Sequence, residues 1–173
     1  ALDVLTVGQV GGGSGVVEMK NNGLVATNGT YITPNGIISG TGTLAVGFLG
    51  LQNEGILAPG ITVQYPFTSP DVSQFQGVAT MAISGTLTTG PTGRLEIPLI
   101  GSNIGQYGSL VVTGTVTLDG VLALDFNQGY APHQGDTFTL LTATGGINGT
   151  FDDVEISGLA PGFEYNLTIV NGQ

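Results

Sequence analysis

An all-β chain of short strands and tight turns is what this sequence predicts, and three observations carry that reading. Apolar and polar residues alternate at period two. Val116 and Leu118 alternate with Thr115, Thr117 and Asp119, and Leu122, Leu124 and Phe126 with Val121, Ala123 and Asp125. Successive strand side chains point to opposite sides, so the alternation marks one buried face. Glycine supplies 31 of 173 residues without a collagen-like period, which reads as turn punctuation. No segment keeps a helical 3.6-residue period over three turns.

Taken in order, Leu2 to Val10 is apolar and strand-like, and Gly11-Gly12-Gly13 with Ser14-Gly15 then reads as a hinge. Val16 to Met19, Leu24 to Thr27 and Thr30 to Thr33 are strand candidates separated by Asn21-Asn-Gly23 and Asn28-Gly29. Ile37 to Ser39, Thr43 to Leu49 and Gly50 to Leu57 continue the rhythm. Residues 61–77 hold three aromatics with Pro66 and Pro70 and read as an excursion, because proline lacks the N–H that a central strand needs. Val78 to Thr88 and Arg94 to Ile100 return to strands, and Asn103 to Gly108 is a second loop. Strands follow around Asp119-Gly120, where glycine accepts positive φ, then at Phe138 to Leu141. Phe151 to Ile156 and Phe163 to Val170 are the last. The domain organisation is therefore an N-terminal strand with a glycine-rich linker over 1–15 and one domain over 16–173.

Composition narrows the function classes. The chain is 40% hydrophobic, which fits a packed fold rather than disorder. Lys20 and Arg94 are the only basic side chains against twelve carboxylates, for a net charge of −10. Nucleic acid and anionic membrane surfaces call for clustered Lys and Arg, so both are poor partners. No apolar run is long enough to span a bilayer. The absence of cysteine removes disulfides, zinc–thiolate sites and thiol catalysis. The chain begins at Ala1, which fits removal of a signal peptide and export. Asn28-Gly-Thr30, Asn148-Gly-Thr150 and Asn166-Leu-Thr168 match the glycosylation sequon, a pattern that Asn- and Thr-rich turns produce by chance.

Ser39-Gly-Thr-Gly-Thr-Leu44, Ser84-Gly-Thr-Leu87 and Thr113-Gly-Thr-Val116 each open a strand with Gly-Thr. Recurrence at tens of residues points to stacked units that cannot bury their apolar face alone. A parallel β-solenoid is the first reading, and a β-sandwich of hairpins, at least in the C-terminal half, is the alternative.

Asn53-Glu-Gly-Ile-Leu-Ala-Pro-Gly60 resembles a rung of the passenger β-solenoids of autotransporters and related large surface proteins. Leu95-Glu-Ile97, Tyr107, Val111-Val-Thr-Gly-Thr115, Gly135-Asp-Thr-Phe-Thr-Leu-Leu141, Gly149-Thr-Phe151 and Leu159-Ala-Pro-Gly162 follow in that family's order, over about residues 36–170. Gly108 departs from it, since the family carries an acid after the tyrosine. Neither a translocator barrel nor a sorting tail follows in this sequence. The resemblance implies an extracellular structural module and not autotransport.

Chemistry-bearing residues are sparse. His133 is the single histidine and has Asp136 nearby in sequence, but a catalytic base also needs a nucleophile and an orienting partner, so a loop residue is expected. Asp152, Asp153 and Glu155 form the one calcium candidate, set against a solvated turn. The other acids stand singly, unlike the paired carboxylates of glycosidases. Threonine rows could suggest ice binding, but threonine is also a favoured exposed strand residue.

No cofactor, metal or catalytic residue is expected. The expected function is an extracellular structural subunit of a surface layer or head-to-tail filament, with copies of itself as partner. An adhesive or glycan-binding surface module and a carbohydrate-active β-helix enzyme are the alternatives. An open strand edge nearly free of lysine invites another strand. The assembly residues expected are therefore Leu2, Val4, Leu5, Val7 and Val10 on a strand offered to a neighbour, with Gly11, Gly12 and Gly13 as hinge. The competing placement makes this strand the first element of its own chain.

Overall fold

The computed structural model describes residues 4–9, 13–60, 77–160 and 162–169, and these are all-β with no helix. The expected excursion at 61–77 lies outside the described residues apart from Gly77. The elements are β1 (Leu5–Val7), β2 (Gly15–Ala26), β3 (Thr30–Ile32), β4 (Gly36–Ala45), β5 (Leu51–Asn53), β6 (Ile56–Pro59) and β7 (Thr80–Ser84). They continue with β8 (Leu87–Thr89), β9 (Arg94–Leu99), β10 (Ser109–Val112), β11 (Val116–Leu118), β12 (Val121–Phe126), β13 (Leu141–Ala143), β14 (Ile147–Gly149) and β15 (Asp153–Ser157).

Two curled sheets of parallel strands contain all of these elements. One has the order β1-β3-β5-β8-β11-β14. The other runs β13-β10-β7-β4-β6-β9-β12-β15, with β2 also on β4. β4 explains the curl. Its residues Ile37 to Gly40 pair with β6, whereas Gly42 to Ala45 pair with β7. The strand turns a corner between the two, and the larger sheet acquires two flanks. Gly40 has φ +101, and a Cβ there would lie 2.0 Å from the carbonyl oxygen of Met19. Only glycine fits both the dihedral and the space.

The corner from the first sheet into the second is built differently. Gly36 and Gly55 precede the paired Ile37 and Ile56, Gly93 precedes Arg94, and Gly120 precedes Val121. A Cβ on Gly36 would sit 2.1 Å from the Val7 oxygen, and on Gly93 2.3 Å from the Asn53 oxygen. These glycines stack in a column because successive passes of the chain approach closely there. Buried Asn53 satisfies the neighbouring backbone: its Nδ2 donates to the Arg94 carbonyl (3.2 Å) and its Oδ1 accepts from the Gly55 N–H (3.2 Å). Thr89 Oγ1 does the same for the next pass, accepting from the Asp119 N–H at 2.8 Å. A buried polar group is tolerable when bonded in this way.

Both sheets and both flanks contribute to one apolar core. Ile32, Leu51 and Leu87 come from the first sheet, Ile38, Leu57 and Leu95 from one flank, and Leu44, Ile83 and Leu110 from the other, all fully buried. Registered pairing places like on like: Ile38 opposite Leu57, Leu57 opposite Leu95, Leu95 opposite Leu122 and Leu122 opposite Val154. Each such side chain, withdrawn from water, contributes on the order of 1.5–3 kcal/mol.

Several expectations are corrected. All paired strands of the C-terminal half are parallel, so hairpins do not build a sandwich there. Asp119-Gly120, read as a tight turn between strands, turns a corner from one sheet to the other. Asn21-Asn-Gly23 does not break a strand; β2 runs through it with a register shift between Met19 and Gly23. Phe138 to Leu140 are not in a strand, which begins only at Leu141. Phe138 turns instead into an aromatic group, edge-on to Tyr107 at 5.5 Å and to Phe126 at 6.3 Å. Residues 162–169 form no strand either, and Val170 lies outside the described residues.

Candidate functional site

The expected assembly strand occupies the edge of the first sheet. Val4 is exposed, Leu5 packs on the core and Val7 is buried, while Leu2 and Val10 lie outside the described residues. Leu5 N–H donates to the Gly29 carbonyl at 2.9 Å, and the Val7 carbonyl accepts from Thr33 N–H at 3.0 Å. Within the chain, Leu5 to Val7 thus pairs in parallel with Thr30 to Ile32, the first-element placement. Gly11 and Gly12 of the expected hinge lie outside the described residues. Gly13 is tied down by its carbonyl, which accepts from Gln9 N–H at 2.7 Å.

His133 stands out in solvent at the 127–140 loop, its Nδ1 3.8 Å from Asp136 Oδ2. The carboxylate serves the turn. Oδ2 accepts from His133 backbone N–H at 2.9 Å and from Tyr130 hydroxyl at 2.8 Å. Those two donors, the backbone one foremost, hold the Asp136 carboxyl below its usual range. The aromatic packing of Tyr130 on Phe126, 6.1 Å between centroids, anchors the loop.

The calcium candidates do not converge. Glu155 Oε2 is taken by Arg94 Nη2 at 2.7 Å. Asp153 Oδ1 accepts from Val154 N–H at 2.8 Å. Asp152 faces Asp119, whose hydrogen bond and charge raise its carboxyl above the usual range. Among the described residues no group of three or more potential ligands could hold a metal ion.

One polar network is not evident from sequence spacing. Arg94 Nε donates to Glu96 Oε1 at 2.8 Å, and the same guanidinium reaches across β12 to Glu155. Ala123 makes the crossing possible, since it lies between Glu96 and Glu155 in register and carries only a methyl group. Burial raises the Glu96 carboxyl against the pull of Arg94, and the Arg94 hydrogen bond lowers that of Glu155. Burial works against the Arg94 charge, but the two carboxylates outweigh it and raise its pKa. The spacing of Arg94 and Glu96 on one strand makes that pair legible in the sequence, but Glu155 lies two strands away.

An unfilled feature lies at the end of the core formed by the last elements. An apolar recess of 1120 Å³ opens there, lined by Leu122, Leu124, Phe138, Val154 and residues 162–169 among others. Ile156, Phe163, Tyr165 and Leu167 are exposed around it. Phe163, Tyr165, Leu167 and Ile169 keep a strand-like alternation although they pair with nothing in a ladder.

Comparison of the chain with protein-family models, with curated proteins and with solved structures finds no match in any of the three.

Proposed function

We propose that the two sheets close into a solenoid-like stack and that the protein is an extracellular structural subunit, without enzymatic activity, assembling head to tail through its strand edges. The observation that carries this reading is the unbroken parallel pairing of the first sheet from β1 to β14 around a single core. Such a body has two unlike ends, and joining one to the other is a heterologous contact that generates filaments when it does not close. The polar clusters support a structural role: Asp136 is spent on a turn, Glu155 and Glu96 on Arg94, and Asn53 and Thr89 on backbone groups. The similarity of residues 36–170 to passenger rungs agrees with an exported location.

Sedimentation and negative-stain microscopy of the full chain at neutral pH test the proposal. Head-to-tail oligomers or fibres are expected, increasing with added salt because copies carrying −10 each repel at low ionic strength. A monomer at every salt concentration would overturn it.

A further inference from the structure

We infer that the edge formed by β2 of one copy docks in register on the edge formed by β15 and residues 162–169 of another, so that the inward rows of the second sheet continue across the junction. This deepens the head-to-tail reading and rests on it. It identifies which strands meet and which residues become neighbours.

The argument starts from registered rows. One inward row of the second sheet runs Val17, Ile38, Leu57, Leu95, Leu122, Val154, and a copy added in register sets its Val17 against Val154. The next inward row begins with Met19 and ends at Leu124 and Ile156, so Met19 meets Ile156. Every junction so formed is apolar on apolar. A one-residue slip would set inward rows against outward ones, so burial selects this register.

The two ends also complement each other in what they lack. Among the described residues β15 pairs with β12 alone and β2 with β4 alone. Their outer edges thus face no further described strand. At the β15 end the core opens into the apolar recess of 1120 Å³, with Ile156, Phe163, Tyr165 and Leu167 exposed around it. A soluble body rarely leaves contiguous apolar surface of this kind without a partner. Residues 162–169 follow β15 as β13 follows β12 and β10 follows β9. In the stack they supply the missing strand, lying between β13 of their own copy and Gly23 to Ala26 of the next.

The charges permit the contact. The register sets Glu18 beside Glu155, but each already has its own cation, Lys20 at 2.7 Å and Arg94 at 2.7 Å. Val16 falls beside Asp153, at the end of the row Ile37, Ile56, Arg94, Val121.

The last pair gives the test, aided by a sequence without cysteine. Within one chain Val16 and Asp153 are five strand spacings apart, about 24 Å at roughly 4.8 Å each, too far for a disulfide. Across the junction they are one spacing apart. Full-length Val16→Cys and Asp153→Cys chains are mixed under mild oxidation, with the unaltered chain followed in parallel by microscopy. The expected result is a disulfide-linked dimer in the mixture and a ladder of multimers from the chain carrying both changes. Val16→Cys mixed with Val121→Cys, one strand further in, should give no such product. Fibres without the Val16–Asp153 bond, or with equal linkage to Val121, would overturn this register and leave head-to-tail assembly standing. An unaltered chain that stays monomeric would overturn both.

Discussion

Asp152 shows how a single side chain reports on the parallel register of successive strands. It occupies the position in register after Gly120, where earlier passes carry Gly36, Gly55 and Gly93. In place of hydrogen it puts a carboxylate beside Asp119, and the shared hydrogen bond and repulsion raise its pKa. A carboxyl raised by folding binds its proton more tightly in the native state. Stability therefore falls as pH rises from the ordinary aspartate range through the raised value, and the repulsion is fully present above it. Asp152→Asn removes the repulsion. Thermal melts followed by circular dichroism should show a higher midpoint for the variant at pH 7 and a smaller gap near pH 4. An unchanged gap between these pH values would contradict the pairing. Glu155 and Asp136 have lowered values and act in the opposite sense, losing their contribution as pH falls through those values. The side chains that set these values were visible in the sequence, but their partners were not. Asp119 meets Asp152, and Arg94 meets Glu155, only because passes of the chain some thirty to sixty residues apart stack in register.

At the scale of elements, the corners decide the architecture. Gly40 combines a positive φ with a Cβ position 2.0 Å from the Met19 carbonyl oxygen, whereas Gly129 has φ +72 and open space around it. Gly129→Ala should therefore carry only the left-handed penalty of about 1–2 kcal/mol. Gly40→Ala should cost distinctly more and shift the urea midpoint further at similar slope. Equal losses would show that the bend in β4 is not held by close approach. The sequence made the strands legible: period two located Val116 to Leu118 and Val121 to Phe126, and both are strands with their expected core residues inward. It did not make their partners legible. Turn chemistry at Asp119-Gly120 is the same for a hairpin and for a corner between sheets, so local residues leave the choice between antiparallel and parallel pairing open. The recurring Gly-Thr was only partly informative. Gly85-Thr86 and Gly114-Thr115 precede β8 and β11 at the same corner, whereas Gly40-Thr41 falls at the bend inside β4. Phe138 to Leu140 kept the strand pattern without forming the strand, and the Phe138 ring packs edge-on against Tyr107, Phe126 and Tyr130.

For the whole molecule, charge and apolar surface are distributed unevenly. In the second sheet, β2, β9, β12 and β15 carry Glu18, Lys20, Arg94, Glu96, Asp125, Asp153 and Glu155, while β7, β10 and β13 on the other flank carry no charged residue. Long-range repulsion between copies therefore arises mainly from one flank and from the turns, and salt weakens it. Ile156, Phe163, Tyr165 and Leu167 are exposed at the end where the last strands lie, and Leu24, Phe48, Leu49 and Ile104 elsewhere. In the stack we propose, an apolar open end of one copy meets a parallel edge in matching register of the next. The direction of strands relative to a fibre distinguishes this from lateral packing. X-ray fibre diffraction from aligned native material is the most direct measurement. Head-to-tail stacking is expected to give a reflection at about 4.7–4.9 Å along the fibre axis, the spacing of neighbouring strands. The same reflection perpendicular to the axis, or a protein that forms no fibre to align, would contradict the account.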